Sequence, residues 1–77
     1  MARIFTDGDF RTWESYASGG RFGLPERPKI LFNCLSEQDR RARWVPFEGN
    51  QADAEEAVAG MPDDRLRELF AKSKELD

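Results

Sequence analysis

The sequence predicts a small α+β fold, in which a four-stranded antiparallel β-sheet is followed by two C-terminal helices packed on one of its faces. Apolar residues alternate with polar ones through much of the first 49 positions, as in strands, and recur every three or four positions after Asn50, as in helices. The predicted strands are joined mostly by short connections, which favour antiparallel pairing because parallel pairing needs long crossovers. With 77 residues, the chain is long enough for one domain with a small core. We therefore expect a single domain over residues 1–77, with the sheet in 1–49 and the helices in 50–77.

The first two strands are predicted to form a hairpin around Asp7-Gly8, a residue pair common in two-residue type I′ turns. This turn would place Phe5 opposite Phe10. Further along the ladder, Ala2 would lie opposite Trp13. The register matters because a shift by one residue moves every side chain of a strand to the other face. It therefore decides whether the tryptophans are buried or displayed.

The remaining elements follow in chain order. Residues 29–35 predict a third strand that is apolar on both faces and therefore central in the sheet. Pro46 has no N–H to donate, which places the fourth strand at an edge or bends it there. Asn50 is suited to cap the first helix, and Pro62 separates that helix from the second. The predicted strands are residues 3–5, 10–17, 29–35 and 41–47.

The two predicted helices are short and carry narrow apolar stripes. They can cover one face of a small sheet, so the opposite face is left to solvent or to a partner. Residues 18–28 are rich in glycine and proline and are predicted to form a loop between the second and third strands. The residues expected to fill the core are Phe32, Val45, Phe47, Val58, Leu66, Leu69 and Phe70.

The sequence contains no histidine and one cysteine, Cys34. Histidine is the commonest general base and metal ligand, and Cys34 lies in an apolar strand without a basic partner to activate a thiol. Asp7-Gly8-Asp9 looks like part of a calcium loop, but Ser18 stands where the final carboxylate is required. The glycine-rich stretch 19–23 lacks the P-loop pattern. We therefore expect no enzymatic activity, no metal and no cofactor.

The sequence also bears on location. No stretch approaches the length needed to cross a bilayer. The amino terminus lacks the basic and apolar regions of a secretory signal. A single cysteine argues against a disulfide framework and fits a reducing compartment. The sequence therefore predicts a cytoplasmic protein without membrane contact.

Arginine and aromatic residues are interleaved in the predicted sheet. The net charge of −3 arises in the helical part, whereas the first 49 residues are nearly balanced. Because arginine and tryptophan are enriched at the hot spots of protein interfaces, we predict a binding module that recognises a protein, or a second copy of itself, through an open sheet face. The alternative is weak binding of single-stranded RNA by the same rings and guanidinium groups. The residues predicted to make contact are Arg11, Arg21, Arg43 and Trp44.

Overall fold

The computed structural model describes residues 2–18 and 28–76. Within these ranges the strands form one antiparallel sheet in the order β1-β2-β3-β4-β5. The predicted order of four strands and two helices is confirmed, and a short fifth strand follows the helices. The elements are β1 (Arg3–Thr6), β2 (Thr12–Ser18), β3 (Lys29–Cys34), β4 (Arg43–Pro46), α1 (Gln51–Gly60), α2 (Asp63–Lys72) and β5 (Lys74–Glu75).

Strand β5 returns the end of the chain to the sheet. It pairs with Arg43 and Trp44, the first half of β4, and the N–H of Leu76 continues the contact by donating to the Ala42 carbonyl at 2.8 Å. Pro46 pairs with β3 but lies beyond the residues that β5 reaches. The prediction of an edge strand is therefore right at Pro46 and wrong for the first half of β4.

The core lies between one face of the sheet and the two helices, so the predicted one-sided cover is confirmed. The Phe70 ring in α2 is the centre of an aromatic cluster on this covered face. Its centroid lies 5.7 Å from that of Phe5, 4.6 Å from Trp13 and 5.5 Å from Phe32. Tilted and edge-to-face contacts between rings stabilise the folded state beyond the burial of their apolar surface.

The predicted core residues divide into two groups. Phe32, Val45, Val58 and Leu66 are buried, and Phe47, Leu69 and Phe70 are partly buried against them. Sequence reasoning did not assign several other side chains to the core. The further buried side chains include Phe5, Trp13, Ile30, Ala54 and Ser15.

The predicted register of the first hairpin is wrong. Phe5 lies opposite Trp13, and the loop between the strands spans residues 7–11 instead of two residues. The pairing is displaced by three positions from the predicted one. Because three is an odd number, the displacement moves Trp13 to the same face as Phe5. Trp13 is consequently 2% exposed, in the middle of the core.

The side chain of Asp7 explains why the loop is longer than predicted. One carboxylate oxygen accepts hydrogen bonds from the amides of Asp9 and Arg11, at 2.8 and 3.0 Å, which closes the loop around it. The other oxygen accepts the indole N–H of Trp13 at 2.7 Å. Aspartate commonly organises turns by bonding to amides that follow it. The loop therefore satisfies the one polar atom of the buried tryptophan.

The helices begin where the sequence predicts. Asn50 caps α1, because its side chain accepts from the amide of Asp53 at 2.8 Å while the Asp53 carboxylate accepts from the amide of Asn50 at 3.3 Å. Gly49 before the cap has a φ of +135°, and a Cβ there would lie 2.9 Å from the Phe47 ring, so this position favours glycine. No helix of the described segments is long and apolar enough to span a membrane.

Candidate functional site

The predicted contact residues lie on two separate surfaces. Arg43 and Trp44 are consecutive in β4, and side chains of consecutive strand residues point to opposite faces. Trp44 lies on the face away from the helices, whereas Arg43 and Arg11 lie at the border of the helical side. The single patch that the sequence predicted is therefore not formed. Arg21 falls outside the described residues.

The sheet face opposite the helices, which we call the open face, carries a continuous row of large side chains. Tyr16 in β2 pairs with Leu31 in β3, Leu31 pairs with Trp44 in β4, and Trp44 pairs with Lys74 in β5. Cross-strand neighbours on one face are in contact range of each other. Since neighbouring strands lie about 4.8 Å apart, the row spans about 14 Å.

The side chains of the open face are accessible to different degrees. Ile4, at the β1 edge, is 61% exposed and Tyr16 is 37% exposed, while Leu31 and Trp44 are half-buried. The Lys29 ammonium lies 5.2 Å from the centroid of the Trp44 ring, within the range of a cation–π contact. This ammonium occupies one side of the indole.

A second surface, which we call the arginine groove, lies at the end of the sheet. Here the β1–β2 loop, the segment before β4 and the end of α2 enclose a cavity of about 330 Å³. One part of the cavity wall is apolar and comes from α2. The groove is lined by Arg11, Arg40, Arg41 and Arg43, by Asp7, Asp9 and Glu75, and by Trp13, Phe70 and Ala71.

Two of the groove arginines are held by carboxylates. The Nε of Arg11 donates to Glu37 at 2.6 Å, and Arg40 donates to the other oxygen of Glu37 at 3.2 Å. Arg11 also contacts Asp9 at 3.2 Å. The hydrogen bond between Arg11 and Glu37 raises the pKa of Arg11 and lowers the pKa of Glu37. Both groups are thus charged at neutral pH, and their charges compensate each other.

The other two groove arginines make no ion pair with a carboxylate of residues 2–18 or 28–76. Arg43 donates from Nε to the Ser73 hydroxyl at 2.8 Å and from Nη2 to the Ser73 carbonyl at 2.6 Å. Its guanidinium also lies 5.7 Å from the Phe70 ring centroid. Arg41 is exposed and makes no ion pair or hydrogen bond with any residue in 2–18 or 28–76. Two further carboxylates that line the groove, those of Asp7 and Glu75, match these two positive charges in number.

Asp7, at the other side of the groove, is a fixed negative charge. Partial burial by itself raises the pKa of Asp7, but the hydrogen bonds from the Trp13 indole and from two loop amides outweigh it and lower the pKa. These bonds occupy both carboxylate oxygens. Asp7 therefore serves the loop and is not positioned as a proton donor or acceptor for a ligand.

Cys34 lies at the end of β3. The thiol of Cys34 is buried, and its Sγ lies 3.7 Å from the Ser36 hydroxyl. Within the part of the chain that the structure describes, no three cysteine, aspartate or glutamate side chains are grouped to hold a metal ion.

Sequence reasoning missed Leu31 as a neighbour of Trp44, and it missed the groove that brings Arg40 and Arg41 together. The alternation in β3 indicates the position of Leu31, because a residue between the buried Ile30 and Phe32 faces away from the helices. The groove carried no such signal, since its walls come from three distant segments. Comparison with known protein families, with curated proteins and with solved structures finds no match for this chain.

Proposed function

We propose that this chain is a small, non-enzymatic binding domain that recognises a protein partner through its open face. The row of Tyr16, Leu31 and Trp44 carries this proposal, because it places three large side chains side by side on the face that the helices do not cover. Tryptophan and tyrosine are the residue types that most often dominate protein interfaces. The open edge of β1, where Ile4 is 61% exposed, would extend such a contact.

The charges beside the row indicate the chemistry of the partner. Lys74 pairs directly with Trp44, and the Lys29 ammonium lies over the same ring. Glu14 lies on the β1 side of the face, opposite Ile4. A surface with an apolar centre and carboxylates placed near Trp44 would complement this arrangement, because opposite potentials across an interface favour association and fix its orientation.

The size of the open face argues for a different protein over a second copy of this chain. From the rise and spacing of strands, the five strands present roughly 400 Å² on this face. Two copies stacked face to face would then bury roughly 800 Å² in total, below the roughly 1,200 Å² of a stable interface. A partner that also contacts the loops or the β1 edge could exceed that area.

Single-stranded RNA is the weaker alternative. A base would have to stack on Trp44, and the Lys29 ammonium already occupies one side of that ring. The described residues of the open face carry Glu14 beside their lysines, which adds repulsion for a phosphate backbone. These features favour protein as the ligand of the open face. The single buried cysteine supports a reducing compartment, and we include a cytoplasmic location in the proposal.

The proposal is tested by comparing immobilised variants for retention of proteins from the source cell, quantified by mass spectrometry. Trp44→Ala removes the central ring of the row, and Phe10→Ala removes an 89% exposed ring from the hairpin loop as a matched control. We expect a protein that the wild type and Phe10→Ala retain and that Trp44→Ala loses by about 30-fold, as for a hot-spot residue. Equal retention by all three would contradict the proposal, and amide spectra establish that each variant is folded.

A separate titration with short single-stranded oligonucleotides addresses the alternative. If the open face binds protein, the amide resonances around Tyr16 and Trp44 stay in place. Shifts of these resonances at low salt that reverse at high salt would replace the protein proposal with RNA binding.

A further inference from the structure

We propose that the outer edge of β1 binds an extended segment of the partner protein, which adds to the sheet as a further strand beside β1. The inference rests on the proposed function, because it names the part of that partner which lies next to the open face. Among the described residues β1 pairs only with β2, so its other edge is the border of the sheet. The direction of the backbone groups of β1 decides what this edge can bind.

The backbone groups of Ile4 and Thr6 point away from β2. In an antiparallel pair, residues that exchange hydrogen bonds with the neighbouring strand alternate with residues that face outward. The amide of Asp7 donates to the Arg11 carbonyl at 2.9 Å, so the bonded positions of β1 are the odd-numbered ones. Thr12, opposite Thr6, agrees with this alternation, because its amide and its carbonyl both bond on the side of β3. Ile4 and Thr6 therefore turn their N–H and C=O groups toward the edge.

This edge is closed at one end and open in the middle. Arg67 in α2 donates from Nε to the Thr6 carbonyl at 2.9 Å, which shows that this carbonyl points outward. The N–H of Thr6 and both backbone groups of Ile4 have no partner in 2–18 or 28–76. An extended segment presents donors and acceptors at the matching spacing. The three remaining groups therefore favour a strand as the occupant.

Side-chain contacts on the helical side hold β1 in its extended form. Arg3 donates to the Met61 carbonyl at 2.7 Å and to the Asp63 carboxylate at 2.6 Å, which ties β1 to the turn between α1 and α2. Phe5 is buried in the core. A segment that binds to β1 does not have to order it first, and this lowers the entropic cost of association.

The opposite edge of the sheet is protected. The two residues of β5 cover the first half of β4, and Pro46 in the other half has no N–H to offer. Short strands and proline are common protections of a sheet edge. Ile4 provides no such protection, since it keeps its N–H and its apolar side chain is 61% exposed on the open face. An apolar side chain of the added strand would lie beside it.

A second copy of this chain is the competing occupant of the edge. A strand of four residues is about 13 Å long and about 10 Å thick, so two paired copies of β1 would bury roughly 300 Å² in total. This area is far below the roughly 1,200 Å² of a stable interface. A partner that also covers the open face, which continues from Ile4, adds the missing area. The occupant is therefore a segment of that partner.

Hydrogen exchange of the free chain tests whether the edge is open. After correction for intrinsic rates, the amides of Ile4 and Thr6 should exchange at least about tenfold faster than the amide of Phe5, which bonds to β2. Equal protection at the three positions would overturn the inference. This measurement needs neither a partner nor a variant.

A random peptide library displayed on phage supplies the probe for binding. Peptides are selected on the full chain, and the affinity of a selected synthetic peptide is measured by calorimetry. Ile4→Pro removes the outward N–H at a position where an edge strand tolerates proline. Ile4→Ala is the matched control, because it removes the side chain and keeps the N–H. We expect the peptide to bind Ile4→Pro about tenfold more weakly than Ile4→Ala, and amide spectra establish that both variants are folded.

The same peptide, added to the wild type, should protect the amides of Ile4 and Thr6 from exchange, so the inference stays testable if Ile4→Pro does not fold. Equal binding by the two variants, no gain of protection, or no enriched peptide would overturn it. A dimer of the wild type in sedimentation equilibrium that Ile4→Pro abolishes would replace the segment with a second copy.

The peptide assay and the retention assay separate the two proposals. Trp44 lies three strands from β1, so Trp44→Ala should leave the affinity of the peptide unchanged. Failure of the Ile4→Pro comparison contradicts the edge site alone. Equal retention of proteins by the wild type and Trp44→Ala contradicts the proposed function of the open face.

Discussion

Replacement of Leu66 by alanine tests the packing of α2 on the sheet. Leu66 is fully buried, and the substitution removes three carbon groups, worth about 2.4 kcal/mol at about 0.8 kcal/mol each. The cavity left behind adds to this transfer energy and brings the total to about 3–5 kcal/mol. A domain of this length has a total stability of about 4–12 kcal/mol. Leu66→Ala therefore removes a large share of it.

Leu69 provides the matched comparison on the same helix, because it is only partly buried. Leu69→Ala loses less apolar burial and leaves an open surface that water fills, so we expect a loss of about 1 kcal/mol. Urea unfolding followed by tryptophan fluorescence measures both variants against the wild type. With an m-value of about 1 kcal/mol per molar urea, the midpoint should fall by about 3–5 M for Leu66→Ala and by about 1 M for Leu69→Ala. A smaller loss for Leu66 than for Leu69 would refute this packing of α2.

Three further predictions concern the hairpin, the two tryptophans and the turn before α1. In Trp44→Phe the remaining tryptophan is the buried Trp13, so its fluorescence should be shifted to the blue and should resist quenching by acrylamide. In Trp13→Phe the remaining tryptophan is the more accessible Trp44, whose fluorescence acrylamide should quench more strongly. Equal quenching in both variants would contradict the assignment of the two tryptophans to opposite faces. The pKa of Asp7 is lowered in the folded state, so its contribution to stability is complete above about pH 5 and is lost as the pH falls below about 4, through the lowered pKa of the folded state. Urea midpoints measured from pH 7 to pH 3 should accordingly fall less steeply in Asp7→Asn than in the wild type, and identical slopes would refute the role of its hydrogen bonds. Gly49→Ala forces an alanine into a positive φ beside the Phe47 ring, which should lower the free energy of unfolding by about 1–3 kcal/mol. The thermal midpoint should then fall by several degrees. An unchanged midpoint would contradict the crowding at this turn.

The fold class could be predicted from the sequence because its signals are local. Strand alternation, the change to helical spacing after Gly49 and the cap formed by Asn50 each act within a few residues, and all of them agree with the structure. Strand β5 could not be predicted, since Lys74 and Glu75 are two polar residues without a pattern. They pair with β4 only because the helices bring the chain back to the sheet.

The hairpin register could not be predicted from turn propensity alone. Asp7-Gly8 favours a two-residue turn, but the Asp7 carboxylate gains three hydrogen bonds in the longer loop, including one from the indole of Trp13. The longer loop also buries Trp13 instead of exposing it. Burial of a large ring and satisfaction of its N–H outweigh a local turn preference, and neither is visible before the tertiary structure is known.

One feature of the candidate site could be predicted from the sequence, namely that Arg43 and Trp44 lie on opposite faces of the sheet. Arg43 and Trp44 are neighbours in a strand, so period two alone separates them into different faces. The row on the open face follows from the same rule once the strand registers are known. The arginine groove, by contrast, depends on Ser73 and Glu75 in the returning end of the chain. Only tertiary structure brings these residues together with the β3–β4 connection.

Site-specific photo-crosslinking tests the role of the open face most directly. A p-benzoylphenylalanine residue is placed at the position of Tyr16, on the open face, or at that of Glu56, exposed on α1. After irradiation in the source cell, position 16 should give one discrete adduct with another protein, and the adduct should disappear when Trp44→Ala is added. Position 56 should give no such adduct. The same adduct from both positions, its persistence in Trp44→Ala, or none from position 16 would contradict recognition through the open face.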